Sequence, residues 1–190
     1  GTPYLCPVLT DNGVADYAYT LLLNEDYPSW LYEVNMGATT IWERWNSVLP
    51  DGNISDTGMN SLNHYAYGSI VEWMYRYMCG LNPDEKNPGF KEFVIKPYPD
   101  KRFDYAKAEY RSVYGLIESG WQKEKNGWKF SLTVPFDTRA TFVIEERLSG
   151  EVSVEVIGNT DAEDVCKMLN DNRQAVLQPG SYEIRVKDRA

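Results

Sequence analysis

The run GLIESGWQKEKNGWKFSLTV, residues 115–134, holds two segments of alternating polarity around Asn126-Gly127. Successive side chains of a strand point to opposite faces, so alternation with period two marks a half-buried strand. Asn-Gly between two such segments is the strongest short-range hairpin signal, because both residues tolerate positive φ. Gly115 to Glu124 is therefore predicted to pair with residues 128–134 across a type I′ turn. Working outward, Ala106-Ala108-Tyr110 begins an alternating run to about Tyr114. Ala140 to Glu145, Ser153 to Ile157 and Tyr182 to Val186 continue the series. The pattern predicts a β-sandwich of about seven or eight strands joined by short polar turns.

Upstream the period changes. Residues 82–104 form a joint rich in proline (Pro83, Pro88, Pro97, Pro99) around one short strand, Phe93-Val94-Ile95. Before it the chain reads helical. Asp11-Asn12-Gly13 is a turn or cap, followed by Ala15, Ala18, Leu21 and Leu22 at helical spacing. Pro28 and Gly37-Ala38 punctuate the chain, and Thr39 and Thr40 are candidate N-caps for a short helix over Ile41–Trp45. A longer helix is predicted from about Asn63 to Cys79, stopped by Gly80. Ala66, Tyr67, Ile70, Met74, Tyr77 and Met78 cover most of its circumference, against a narrow polar stripe of Ser69, Glu72 and Arg76. So broad an apolar face calls for more partner helices than this stretch supplies. Helices without their partners should leave an apolar patch around Ile70, Val71, Met74 and Met78, which favours self-association.

Composition narrows the function. A net charge of −9 with no Lys/Arg cluster argues against nucleic acid, whose phosphates require a basic face. The longest apolar run is only a few residues, too short to span a bilayer. Cys6, Cys79 and Cys166 are widely spaced and odd in number, which fits buried small hydrophobes better than a disulfide framework. A single histidine nearly excludes a His-based metal site, and no cofactor is called for. Aromatic residues are 14% of the chain, and such rings serve equally as sugar platforms and as strand cores. The opening Gly1-Thr2-Pro3-Tyr4 lacks an initiator Met and a signal peptide and reads as the interior of a longer chain. The compartment, cytoplasmic or periplasmic, stays open, as does the oligomeric state.

Few residues could carry chemistry. The Gly-x-Ser-x-Gly elbow, Walker loop and dinucleotide fingerprint are absent. His64 beside a buried helix reads as structural on spacing alone. Glu43 lies between Trp42 and Arg44, with Trp45 beyond. On a short helix its carboxylate would sit near the N-terminus, where the dipole favours the ionised form of a base, with indoles flanking a sugar. The same residues also describe a surface Glu–Arg helix with two packing tryptophans.

The run Gly37-Ala38-Thr39-Thr40-Ile41-Trp42-Glu43-Arg44-Trp45 resembles the C-terminal signature of bacterial α-L-rhamnosidases of glycoside hydrolase family 78. Met59-Asn60-Ser61-Leu62-Asn63-His64-Tyr65-Ala66-Tyr67-Gly68 follows at the family's spacing. Gly1-Thr2-Pro3-Tyr4-Leu5 and Pro88-Gly89-Phe90-Lys91 are also similar, so the resemblance spans most of residues 1–121. Asn46 and Leu62 depart from the Asp and Phe of many members.

The resemblance implies an α+β multidomain protein: terminal helices of an (α/α)6 barrel over residues 1–86, then a C-terminal antiparallel β-sandwich over 87–190. It implies an inverting hydrolase of terminal α-L-rhamnose in glycosides or polysaccharides. Glu43 would be the general base, and His64, Trp42 and Trp45 would contact the sugar. The general acid would belong to the earlier part of the barrel, the missing N-terminal part of the same enzyme. Asp51, Asp56 and Glu33 are further carboxylates, and they read as ordinary loop carboxylates rather than the acid. Alone, this chain would then be inactive or nearly so. Two other readings stand beside this one. The first is a non-catalytic carbohydrate-binding or scaffold module using Trp121 and Trp128 near the hairpin. The second is a family-78-like hydrolase of another sugar.

Overall fold

Residues 1–55, 58–148, 150–157 and 162–188 are described by the computed structural model. Asp56 lies outside them. The chain divides into two compact units, Gly1–Trp73 and Met74–Ala190.

In the first unit, α1 (Thr2–Asp11) starts with a proline in its first turn, where the missing N–H costs nothing. Gly13, at φ +78°, follows its end. The next helix, α2 (Ala15–Leu23), buries Ala15, Ala18, Tyr19 and Leu22, one face at i, i+3, i+4, i+7. Ser29 caps α3 (Trp30–Asn35), its Oγ accepting from the Tyr32 N–H at 3.0 Å. No helix forms over Ile41–Trp45, contrary to the sequence expectation. Thr40 does not cap one; its hydroxyl donates to the Leu62 carbonyl. Hydrogen bonds to a distant segment outcompete a local helix there.

The predicted helix over Asn63–Cys79 is shorter and changes pitch. It runs as a 3₁₀ turn (Ala66–Ser69) and α4 (Ile70–Trp73), and the second unit opens with a π turn (Met74–Met78). Changes of pitch break a constant 3.6-residue stripe. Ile70 (7% exposed) and Met78 (6%) are accordingly buried, and only Val71 of the predicted patch stands at 50%. The first unit does expose Tyr4, Leu5, Val8, Tyr17 and Val34.

Trp73 centres this unit. It meets Tyr19 edge to face at 5.0 Å, and its Nε1–H donates to Thr10 Oγ1 at 2.9 Å. That hydroxyl donates in turn to the Cys6 carbonyl at 2.9 Å. Thr10→Val keeps the shape but strands the indole N–H. A buried unpaired donor costs about 1–3 kcal/mol, so the urea midpoint of this unit should fall; an unchanged midpoint would refute the role of the bond.

The second unit contains two sheets. One has the order β1 (Leu81–Pro83), β2 (Glu92–Ile95), β6 (Arg139–Val143), β8 (Gln174–Leu177). The other runs β3 (Tyr105–Ser112), β4 (Gly115–Glu124), β5 (Gly127–Val134), β9 (Gly180–Lys187), β7 (Val152–Ile157). Every pair is antiparallel except β2–β6, which is parallel. Phe130 of β5 meets Phe142 of β6 at 5.5 Å, joining the inner faces of the sandwich.

The β4–β5 hairpin forms as expected, but its turn differs. Glu124 pairs with Gly127, so Lys125 and Asn126 are the loop, and neither has positive φ. The turn is not type I′. Gly127 carries the unusual backbone instead, at φ +141°.

Elements beyond the sequence expectation include β1, β8 and α5. Strand β1 forms at the start of the proline joint; Pro83 is tolerated at the end of an edge strand. Helix α5 (Ala162–Asn172) buries Val165 and Leu169 at i, i+4, with Cys166 and Met168 partly buried beside them. Trp121 and Trp128 are each 2% exposed and pack edge to face at 5.4 Å. Trp121 donates to the Met78 carbonyl at 2.7 Å. Both are core residues, which removes the basis for a sugar platform at the hairpin.

Candidate active site

The site forms between two loops of the first unit. Helix α3 ends in a Schellman turn: Gly37, at φ +82°, donates to the Val34 carbonyl at 2.9 Å, and Ala38 donates to the Glu33 carbonyl at 3.0 Å. Glycine at this position releases the chain from the helix into residues 38–45. That segment then meets residues 61–64. The Glu43 N–H donates to the Ser61 carbonyl at 2.9 Å, and the His64 N–H donates to the Ile41 carbonyl at 2.8 Å.

This pairing settles where the predicted residues stand. Glu43 Oε2 accepts from the Ser61 N–H at 2.8 Å, so one carboxylate oxygen is held by the opposite loop. Nδ1 of His64 accepts from the Ala66 N–H at 3.2 Å, and its ring stacks on Tyr65 at 5.1 Å. With Nδ1 accepting, the neutral ring carries its proton on Nε2, which faces away from that bond. Glu43 and His64 thus come from loops bonded to each other. A helix dipole plays no part at Glu43, since no helix begins there.

The two tryptophans differ. Trp45 is half-buried, stacked on Tyr67 at 4.0 Å and edge-on to Trp30 at 4.8 Å. Trp42 is 4% exposed, so its ring belongs to the interior of the unit. Ser61 has no signature in the sequence, because it acts through its backbone N–H and leaves no side-chain signal.

Glu33 is not a loop carboxylate. It sits on α3, 3% exposed, with Oε2 accepting from the Trp42 N–H at 3.2 Å. Its Oε1 is buried without a hydrogen-bond partner among the described residues. Glu33 lines a cavity of about 270 Å³ with Trp30, Val34 and residues 38–41. Burial pushes its carboxyl up to about 7, against the lowering effect of the Trp42 N–H. Between its ordinary value of 4.5 and that of the folded state, the folded protein keeps a proton the unfolded chain has lost. The stabilising contribution of this group is therefore full below the lower value and declines as pH rises to about 7. Thermal melts across that range should show a steeper decline for wild type than for Glu33→Gln; parallel curves would refute it. Asp51 is exposed, and the backbone and side-chain N–H groups of Asn53 hold its carboxyl below the ordinary range. That is the wrong direction for a general acid.

Residues 1–78 match the bacterial alpha-L-rhamnosidase 6 hairpin glycosidase domain, and residues 80–157 match the bacterial alpha-L-rhamnosidase C-terminal domain. An alpha-L-rhamnosidase of Formosa agariphila is 39% identical over 189 residues, 98% of this chain and 20% of its own length. One from Streptomyces avermitilis is 44% identical over 140 residues, 74% of this chain and 13% of its own length. The crystal structure of a Streptomyces avermitilis alpha-L-rhamnosidase complexed with L-rhamnose superposes with a TM-score of 0.80 at 37% identity. The match covers 98% of this chain and 17% of that one. A native Aspergillus terreus enzyme of the same name gives 0.77 at 30% identity, over 98% of this chain and 19% of its own. The chain thus spans a fifth or less of the proteins it matches. With residues 1–78 and 80–157 matched by two adjoining domain models of one family, the chain belongs to the bacterial α-L-rhamnosidases.

Proposed function

We propose that this chain supplies the general base of an inverting α-L-rhamnosidase, with Glu43 deprotonating the water that attacks the anomeric carbon. The observation that carries this is the pairing of residues 41–43 with 61–64, which ties the Glu43 carboxylate to the loop bearing His64. With Oε2 bonded to the Ser61 N–H, the other oxygen is the one to receive a proton from water. Inversion requires a second carboxyl about 6.5–9.5 Å away, placing a proton on the leaving oxygen from the opposite face. Sequence preceding this chain in an enzyme-length protein would provide it, along with most of the sugar pocket. His64, through Nε2–H, donates to a ring hydroxyl. Trp45 offers an aromatic edge to the sugar, and buried Trp42 backs that wall. Terminal α-L-rhamnose in glycosides or polysaccharides is the substrate.

The test is hydrolysis of p-nitrophenyl α-L-rhamnoside by the enzyme-length protein, as wild type and as Glu43→Gln, with this chain alongside. The chain alone should be silent. Measurable turnover by it would place the acid within these residues and overturn the division of labour. His64→Ala should raise KM about 10-fold or more, as expected for a lost hydrogen bond to substrate, with a smaller change in kcat. A KM equal to that of wild type would remove His64 from the pocket.

A further inference from the structure

We propose that Glu33 is a positioning residue of this site, clamping the two ends of the segment Ala38–Trp42 and thereby fixing where the Glu43 carboxylate stands. The inference rests on the reading of Glu43 as base.

The geometry is specific. The main-chain carbonyl of Glu33 accepts from Ala38 at 3.0 Å, and its side-chain Oε2 accepts from Trp42 at 3.2 Å. One residue therefore holds the first and last positions of a five-residue segment, and Glu43 is the next residue along. On its other side Glu43 is held by Ser61. Without the clamp, the segment's start is kept by the Schellman turn and residues 40 and 41 by their bonds to Leu62 and His64, but the Trp42 N–H just before Glu43 loses its acceptor. A carboxyl is a costly way to satisfy one backbone N–H in a site 3% exposed, because Oε1 has no partner among the described residues beside a cavity of about 270 Å³. Burying an unpaired polar atom destabilises the fold. Natural chains keep such local costs mainly where a functional geometry depends on them. Reach decides the residue type. From α3 the carboxyl must span to the backbone of Trp42, which Asp, one methylene shorter, would not do.

The experiment compares Glu33→Met, Glu33→Asp and Glu33→Gln in the enzyme-length protein, with kcat and KM measured on p-nitrophenyl α-L-rhamnoside and folding checked by thermal melts. Met keeps volume and loses the acceptor. Asp keeps the carboxyl and loses the reach. Gln keeps both the acceptor and the reach. The expected result is a fall in kcat of about 10-fold or more for Met and Asp, in the range caused by misplacing a catalytic group by a fraction of an ångström. KM should stay within about 2-fold, as expected when ground-state binding is intact, and Gln should restore wild-type kcat. Should Met fail to fold, Asp carries the test. Folded Met or Asp variants with wild-type kcat would overturn the proposal. So would a Gln variant as impaired as Met, since that would make the carboxyl a chemical participant rather than a clamp. Glu43→Gln is measured alongside. If it keeps activity, the base reading fails whatever Glu33 does; if it is inactive while the Glu33 variants behave as wild type, only the clamp fails.

Discussion

Glu43→Gln in the enzyme-length protein is expected to lower kcat by about 10²–10⁴-fold, the usual contribution of a positioned acid or base, with KM little changed. Glutamine keeps the carbonyl oxygen that accepts from the Ser61 N–H, so the loop pairing should survive. What it loses is the ability to take a proton from water. Both kcat and kcat/KM should fall together, the signature of an interaction made only in the transition state. Adding azide gives a sharper readout. A small anionic nucleophile needs no deprotonation, so it should partly restore turnover of Glu43→Gln and yield the inverted glycosyl azide. Wild-type activity in the variant would make Glu43 a loop residue only. Rescue with retained configuration would refute the inverting geometry.

Gly80→Ala should destabilise the second unit far more than Gly89→Ala does. Gly80 has φ +76°, and a Cβ there would lie 2.2 Å from the backbone of both Lys96 and Pro97. The Lys96 N–H donates to the Gly80 carbonyl at 2.9 Å, so the two segments cannot separate without breaking a backbone bond. Nearby, Ser119 and Trp121 donate to the carbonyls of Cys79 and Met78. A left-handed alanine costs about 1–2 kcal/mol, and overpacking against fixed backbone adds about 1–3 kcal/mol. The melting temperature should drop by on the order of 10 °C or more. At Gly89 the φ is +100°, but nothing lies within 4 Å of the added carbon, so only the backbone strain remains. Equal losses for the two variants would show that the close approach at Gly80 carries no energy.

Some of this architecture is legible in the chain alone. The alternation on either side of residues 125–127 marks β4 and β5, because a strand's burial pattern is local and repeats every two residues. Gly80 is legible as a helix stop, and Gly37 as punctuation, because positive φ selects glycine whatever surrounds it. Helix α5 goes unread in the sequence expectation although Val165, Met168 and Leu169 stand at helical spacing behind an acidic first turn; it packs on β7 and β8. Trp121 and Trp128 are ambiguous in sequence, since an indole near a hairpin suits a sugar or a core, and only burial distinguishes them.

The site divides the same way. Residue type and flanking indoles draw attention to Glu43, His64 reads as structural on spacing alone, and the family resemblance is what singles out both and gives them roles. Their setting is not given by those features, and a helix over Ile41–Trp45 is the wrong local expectation. Local propensity accounts only for bonds between near neighbours. The bonds that shape this loop run from Thr40 to Leu62, from Glu43 to Ser61 and from Trp42 to Glu33. The sequence by itself determined which elements alternate with which period, where glycine must release a helix, and which side chains can do chemistry. Only the tertiary structure decided that Glu43 is held by the opposite loop, that Trp42 is interior, and that Glu33 is buried with one oxygen unpaired among the described residues. Those facts depend on pairings between segments separated in the chain, whose energies no local pattern encodes.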